Sequence, residues 1–271
     1  MNRALAAAAV IVCAVAPTAR GQYRYETVSF EQLLGSHVKS RLGIDRLPSI
    51  NFGKAITEPA VYVTATRKRI LLYGETIVPL THSLVPADDV AICSSGATCI
   101  PRLRDSLTQA RSRLGQRLEN RPHVLLLIDT AIPYPTLLLI ARSVAEAGAP
   151  LSMQLVARRG PELIGLPVWV APGRTLVLSD ATSPRLIRVE VGVGGSAVVR
   201  TAGADPVVAR GMADLLGHLG QLQLSSGRTT YFLAGSADTP IGDVVSVAAL
   251  IRDVFPNVVL HERGQLNVLV R

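Results

Sequence analysis

The spacing of hydrophobic residues between positions 123 and 158 predicts a strand, a helix and a second strand. Residues 124–128 form an unbroken apolar run that is too short for a helix and fits a buried strand. Asp129 ends this strand in a polar turn, and Pro135 has the fixed φ suited to the first turn of a helix. Apolar residues at three- and four-residue spacing then predict the helix, and residues 151–157 alternate as the second strand.

The same order of patterns returns in the last third of the chain. Two alternating strands, a helix, a buried strand, a second helix and a returning strand are predicted at 186–203, 209–222, 229–234, 241–255 and 257–261. Pro240 aligns with Pro133 at an offset that also aligns the helices behind them, so the chain is predicted to contain an internal repeat. Ser236 then stands at the position of Asp129, which argues against a catalytic role shared by both copies.

An insert separates the first predicted hairpin, 61–78, from a helix at 101–118. It contains Cys93 and Cys99, with five residues between them. In an exported protein this pair is expected to close a small disulfide loop, because a redox pair would have the Cys-x-x-Cys spacing at a helix start.

Asp129, Pro133 and Tyr134 form an Asp-x-x-x-Pro-Tyr turn, and an Ala-Gly step follows the helix at Ala147 and Gly148. This pattern resembles the periplasmic domain of the ExbD/TolR family of biopolymer-transport proteins. Gly148 is expected to end the helix in a left-handed conformation. Upstream, residues 47–48 and the 61–78 hairpin look like the family's Leu-Pro entry and first hairpin, so the resemblance covers residues 45–160.

The resemblance implies an α+β fold with two tandem ExbD/TolR-like periplasmic domains, each a small mixed sheet with two helices on one face. The first domain, with its disulfide-bearing insert, is expected at 22–160 and the divergent second one at 185–271. A connector rich in proline and glycine is predicted at 161–184, with Trp169 packed in a core.

Residues 1–21 have a basic start, an apolar run and small residues near Gly21, which predicts a cleavable secretory signal and a periplasmic or secreted protein. An uncleaved signal anchor is the alternative. ExbD/TolR proteins carry an aspartate in an N-terminal transmembrane helix, whereas no acidic residue precedes Glu26 here. The proton-motor role is therefore not carried over, and no membrane span is expected after signal cleavage.

Composition and motifs predict no catalytic, cofactor-binding or metal-binding residue. The formal charge is +8 and the aromatic content 4%, with arginines scattered singly, so a nucleic-acid partner is not predicted. The five histidines lie far apart, and neither a nucleophile elbow nor a dinucleotide fingerprint occurs. We interpret Asp129 as an acceptor for turn amides that also caps the following helix.

The resemblance therefore implies a non-enzymatic interaction module associated with a biopolymer-transport or energy-transduction system of the cell envelope. Its expected partners are envelope transport-complex proteins or peptidoglycan, with a homodimer or an intramolecular pseudo-dimer of the two copies. Strand edges beside Leu47-Pro48 and Leu166-Pro167 are the expected docking surface. The alternatives are a peptidoglycan-binding scaffold and an envelope enzyme with Asp129, Tyr134 and Arg142 around a helix N-terminus.

Overall fold

The computed structural model describes residues 10–14, 25–29, 43–50, 54–56, 60–114, 123–148, 152–160, 162–170, 175–178, 185–201, 204–223, 229–254, 258–260 and 267–270. Within these ranges, no helix is both long and apolar enough to cross a membrane. Of the predicted signal peptide the structure describes only residues 10–14, as a strand, so its cleavage stays a prediction.

In the described residues of the first half, up to residue 160, short strands alternate with two α-helices. In chain order its elements are β1 (Val10–Ala14), β2 (Tyr25–Ser29), β3 (Lys54–Ala55), β4 (Ala60–Ala65), β5 (Arg69–Leu72), β6 (Glu75–Pro79), β7 (Ala91–Ile92), β8 (Thr98–Cys99), α1 (Pro101–Leu114), β9 (His123–Ile128), α2 (Tyr134–Glu146) and β10 (Ser152–Arg159). The predicted strand, helix and strand between 123 and 158 are confirmed as β9, α2 and β10. Tyr73 and Gly74, at φ of +52° and +85°, form a two-residue turn between β5 and β6.

The second half contains the predicted elements in the predicted order, with four further strands. It contains β11 (Glu162–Val170), β12 (Thr175–Leu178), β13 (Arg185–Val191), β14 (Ala197–Thr201), β15 (Val207–Ala209), α3 (Met212–Gln223), β16 (Thr229–Gly235), α4 (Ile241–Val254), β17 (Val258–Leu260) and β18 (Asn267–Val270). The predicted strands at 186–203, the buried strand at 229–234 and both helices are confirmed to within a few residues.

The mixed α+β class is confirmed, but the prediction of two small sheets is wrong. Twelve strands form one sheet, in the order β15-β14-β13-β16-β17-β11-β10-β9-β4-β5-β6, with β3 also paired to β11. Strand β11 is antiparallel to β10 and parallel to β17, so it joins the strands of the two halves. Edges that two separate sheets would leave open are therefore paired inside one sheet.

The predicted connector, 161–184, supplies this joining strand. Ile164, Leu166 and Val168 of β11 are buried at alternate positions, as a strand with one core face requires. Pro167 stands between the residues that pair with β3 and those that pair with β17, where a missing N–H is tolerated. Trp169 is 53% exposed, so its predicted place in the core is wrong.

The two halves repeat one strand order on either side of β11. From the outer edge inward the order is β6-β5-β4-β9-β10 in the first half and β15-β14-β13-β16-β17 in the second. Val124, Leu126 and Ile128 of β9 belong to a single buried cluster that includes residues of all four helices. The intervening Leu125 and Leu127 are buried outside that cluster. Alternate strand residues thus face the helices, as expected for helices packed on one side of a sheet.

Candidate functional site

The turns that precede α2 and α4 lie against each other. The N–H of Tyr134 donates to the carbonyl of Thr239 at 3.0 Å, and the N–H of Ile241 donates to the carbonyl of Ile132 at 2.9 Å. Ile241 and Thr239 hold in the second turn the positions that Tyr134 and Ile132 hold in the first. The two bonds are therefore reciprocal, as a local two-fold axis requires.

An antiparallel bridge between Pro133 and Pro240, the two prolines aligned in the sequence, lies at the centre of this contact. One further bond breaks the symmetry. The N–H of Gly242 donates to the carbonyl of Thr130 at 3.2 Å. Pro135 occupies the equivalent position in the first turn and has no N–H to donate.

Tyr134 connects the first turn to the core of the second half. Its side chain is buried, and its hydroxyl donates to the carbonyl of Leu233 at 2.9 Å. Gly235 allows this approach, because a Cβ on that residue would lie 2.7 Å from both Cβ and Cγ of Tyr134. Ile241, equivalent to Tyr134, is buried but has no side-chain donor, so the contact is one-sided.

Asp129 fastens the segment 43–50 to the first turn. Its Oδ2 accepts from the N–H groups of Asp45 at 2.8 Å and Arg46 at 3.3 Å, and its Oδ1 accepts from the N–H of Ala131 at 2.9 Å. The carboxylate is 1% exposed, and Arg67 Nε lies 3.8 Å away. The predicted role as an acceptor for turn amides is confirmed.

The ends of α2 correct one prediction and confirm another. Pro133 is the N-cap residue, without a side-chain capping bond, so the predicted capping of α2 by Asp129 is wrong. Both carboxylate oxygens of Asp129 are already bonded to amides elsewhere. At the other end Gly148 has a φ of +133°, a conformation that favours glycine, as predicted.

The second turn is held by hydroxyl groups in place of the carboxylate. Thr239 Oγ1 donates to the carbonyl of Val191 at 2.9 Å and accepts from the N–H of Ser236 at the same distance. Ser236 Oγ also lies 2.7 Å from that hydroxyl. A serine at the position of Asp129 thus keeps a bonded turn, because Thr239 supplies the second polar side chain.

The predicted pairing of Cys93 with Cys99 is present as a disulfide, with the two Cα atoms 5.9 Å apart. The loop that it closes lies on α2, where Glu146 Oε1 accepts from the N–H of Ser95 at 2.9 Å. On the adjacent α1, the hydrogen bond and charge of Asp105 raise the pKa of the Arg104 guanidinium above its ordinary value. The insert is therefore a braced loop on the helix that follows the first turn.

The three residues of the enzyme alternative are enclosed in the fold. Asp129 and Tyr134 are each 1% exposed and Arg142 is 4% exposed. Arg142 Nη1 donates to Thr98 Oγ1, in the disulfide loop, at 3.2 Å. Among the described residues, no group of three or more His, Cys, Asp or Glu side chains is arranged to hold a metal ion.

A groove of mixed polar and apolar lining opens beside the paired turns, with a volume of about 1140 Å³. We call it the junction groove. Residues 44–49, 130–131, 158 and 160 of the first half line it, together with Pro240, Gly242, Asp243 and Ser246 of the second half. Sequence reasoning did not select this site, because its residues come from four separate segments.

Comparison with protein-family models, characterised proteins and solved structures gives no match to this chain. The resemblance to the ExbD/TolR family therefore stays a prediction.

Main-chain pairing occupies part of the expected docking edges beside Leu47-Pro48 and Leu166-Pro167. Ser49 pairs with Arg158 of β10, and Leu166 pairs with Leu155 in the interior of the sheet. The outermost strands in the main order of the large sheet are β6 and β15, and β3 is attached to β11 outside that order.

Proposed function

We propose that this protein is a non-enzymatic interaction module of the cell envelope, periplasmic or secreted, that serves a biopolymer-transport or energy-transduction system. The observation that carries the proposal is the reciprocal contact of the two turns around Pro133 and Pro240. The residues that resemble the family motif are used to hold two similar halves together. Such a pseudo-dimer supports a scaffolding role, and the burial of Asp129, Tyr134 and Arg142 weighs against the enzyme alternative.

The partner is proposed to dock on β15. Val207 and Val208 of this strand are 38% and 62% exposed, and β15 carries no charged residue. The opposite edge, β6, begins at Glu75, ends at Pro79 and borders an irregular register in β5. Charge, proline and irregular pairing protect an edge from strand addition, whereas β15 lacks these features.

The proposed occupant of the β15 edge is an extended segment of an envelope transport-complex protein. It would add a strand to the sheet through main-chain hydrogen bonds. Beside β15 lies a small pocket of about 170 Å³, lined by Val208, Val198, Glu190 and Ser236 among others. This pocket can take one partner side chain, which would give the strand contact a sequence preference.

Affinity capture from envelope extract tests the proposal when three chains are compared. Val208→Lys places a charge on the β15 edge, and Thr76→Lys places the same charge on β6 as a matched control. We expect one transport-complex protein to be captured by the wild type and Thr76→Lys but lost with Val208→Lys. Equal capture by all three chains, or none by the wild type, would reject docking on β15.

A sedimentation assay with purified peptidoglycan belongs beside the capture experiment. Co-sedimentation that persists with Val208→Lys would support the wall-binding scaffold in place of the transport-complex partner.

A further inference from the structure

The junction groove has the size of a ligand site and shares no lining residue with the pocket beside β15. Small-molecule sites typically occupy a few hundred to about 1,000 Å³, and they often form where two structural units meet. The groove lies where the segment 44–49 and the end of β10 face the start of α4. Its lining combines apolar residues with hydroxyls and charged side chains, which suits a ligand that carries a polar or charged group.

Main-chain hydrogen bonds fix the backbone at two arginines of the groove, Arg46 and Arg158. The carbonyl of Arg46 accepts from the N–H of Thr130 at 2.9 Å. Arg158 donates its N–H to the carbonyl of Pro48 at 2.8 Å, and its own carbonyl accepts from the N–H of Ile50 at 2.9 Å. Both side chains are exposed, and the backbone positions that carry them are fixed by these bonds, so ordering them on a ligand costs side-chain freedom but no backbone freedom.

The charges of these two arginines are not used by the described part of the fold. Neither guanidinium has a carboxylate within ion-pair distance among the described residues. Five other arginines each have one, namely Arg67, Arg102, Arg104, Arg159 and Arg200. Arg46 and Arg158 therefore differ from these five arginines in having their charge available to a ligand.

Two carboxylates, those of Asp45 and Asp243, also line the groove. Asp243 Oδ2 accepts from the N–H of Gly194 at 2.9 Å, so this carboxylate is bonded to the turn before β14. Asp45 is the other carboxylate in the lining. Among the described residues neither carboxylate forms an ion pair with Arg46 or Arg158, so both guanidinium groups can still bind an anion.

We infer that the junction groove binds a ligand through a carboxylate or phosphate group held by Arg46 and Arg158. The forked N–H donors of arginine match the oxygens of both groups, and such charge-assisted bonds are stronger than neutral ones. The site is independent of the proposed docking on β15.

Calorimetric titration of the whole chain at low ionic strength tests this inference, with citrate as the carboxylate probe and inorganic pyrophosphate as the phosphate probe. We expect at least one probe to bind, with affinity falling about tenfold in Arg46→Gln and in Arg158→Gln. Arg102→Gln, which removes an exposed charge from α1, should leave the affinity unchanged. Binding of one probe alone identifies the group that the groove prefers.

No heat from either probe, or an equal loss of affinity in Arg102→Gln, would overturn the inference. Thermal unfolding of each variant shows that the fold is kept, since both side chains are exposed. Val208→Lys should bind the probes like the wild type, so failure of the docking proposal and failure of the groove are distinguished.

Discussion

The hydroxyl of Tyr134, at the start of α2, donates to the main-chain carbonyl of Leu233 in β16 at a distance of 2.9 Å. A single side chain thereby connects the first turn of one half to the buried strand of the other. The reciprocal main-chain bonds beside it are formed by both halves alike, whereas this bond has no counterpart at Ile241. Tyr134 is therefore the side chain that makes the contact between the halves specific.

Tyr134→Phe should lower the free energy of unfolding by about 1 kcal/mol, because it removes this buried hydrogen bond and keeps the ring. Urea denaturation measures the change. An unfolding free energy equal to that of the wild type would contradict the role given to the hydroxyl.

Gly235→Ala should destabilise the protein by about 1–3 kcal/mol, since the new methyl group would collide with the ring and Cβ of Tyr134. Gly217→Ala is the control. Gly217 lies inside α3 with nothing within 4 Å of an added Cβ, so this change should stabilise by about 0.5–1 kcal/mol. Thermal unfolding of both variants shows whether each substitution raises or lowers the stability. Changes in the same direction would argue against the close contact between Gly235 and Tyr134.

Asp129→Asn should cost about 2 kcal/mol of stability, which exceeds an ordinary capping contribution of about 1 kcal/mol. The charged acceptor of three N–H groups is replaced by a side chain with one acceptor oxygen. Asp238→Asn, at an exposed position in the second turn, is the matched control and should change stability by less than about 0.5 kcal/mol. Similar losses in the two variants would show that the bonds of Asp129 contribute little.

Replacing Cys93 and Cys99 together by serine should lower the unfolding free energy by about 2 kcal/mol, as the closure of a short loop is lost. The melting temperature of the wild type should fall on addition of a reductant, while that of the double variant should not change. If the melting temperature of the wild type does not change on addition of the reductant, the disulfide contributes little to the stability.

Thr64→Val should leave stability unchanged or raise it by up to about 1 kcal/mol. Thr64 Oγ1 is buried and has no hydrogen-bond partner among the described residues, so the apolar isostere removes a desolvation cost. Thr136→Val should instead destabilise by about 1 kcal/mol, because the Thr136 hydroxyl donates to the carbonyl of Ser83 at 2.9 Å. Chemical denaturation of the pair checks the contrast, and a loss of stability in Thr64→Val would contradict it.

Local patterns in the sequence were enough to place most of the helices and strands around the two turns. The apolar run before Asp129, the fixed φ of Pro135 and the positive φ of Gly148 depend on residues close together in the chain. The same holds for the disulfide, whose cysteines are close neighbours in sequence. Periodicity and turn chemistry act over a few residues, so they can be recognised without the tertiary structure.

Tertiary structure alone decided how the halves are joined and where the candidate sites lie. The strand character of β11 depends on β10 and β17 being present on either side of it. Asp129 accepts hydrogen bonds from the main-chain N–H groups of residues 45 and 46, and Tyr134 donates one to Leu233. These bonds join segments that lie far apart in sequence. The aligned prolines indicate a repeat, but they do not show whether the two copies contact each other. That contact is made between surfaces formed by residues distant in sequence, so it produces no short-range pattern in the chain.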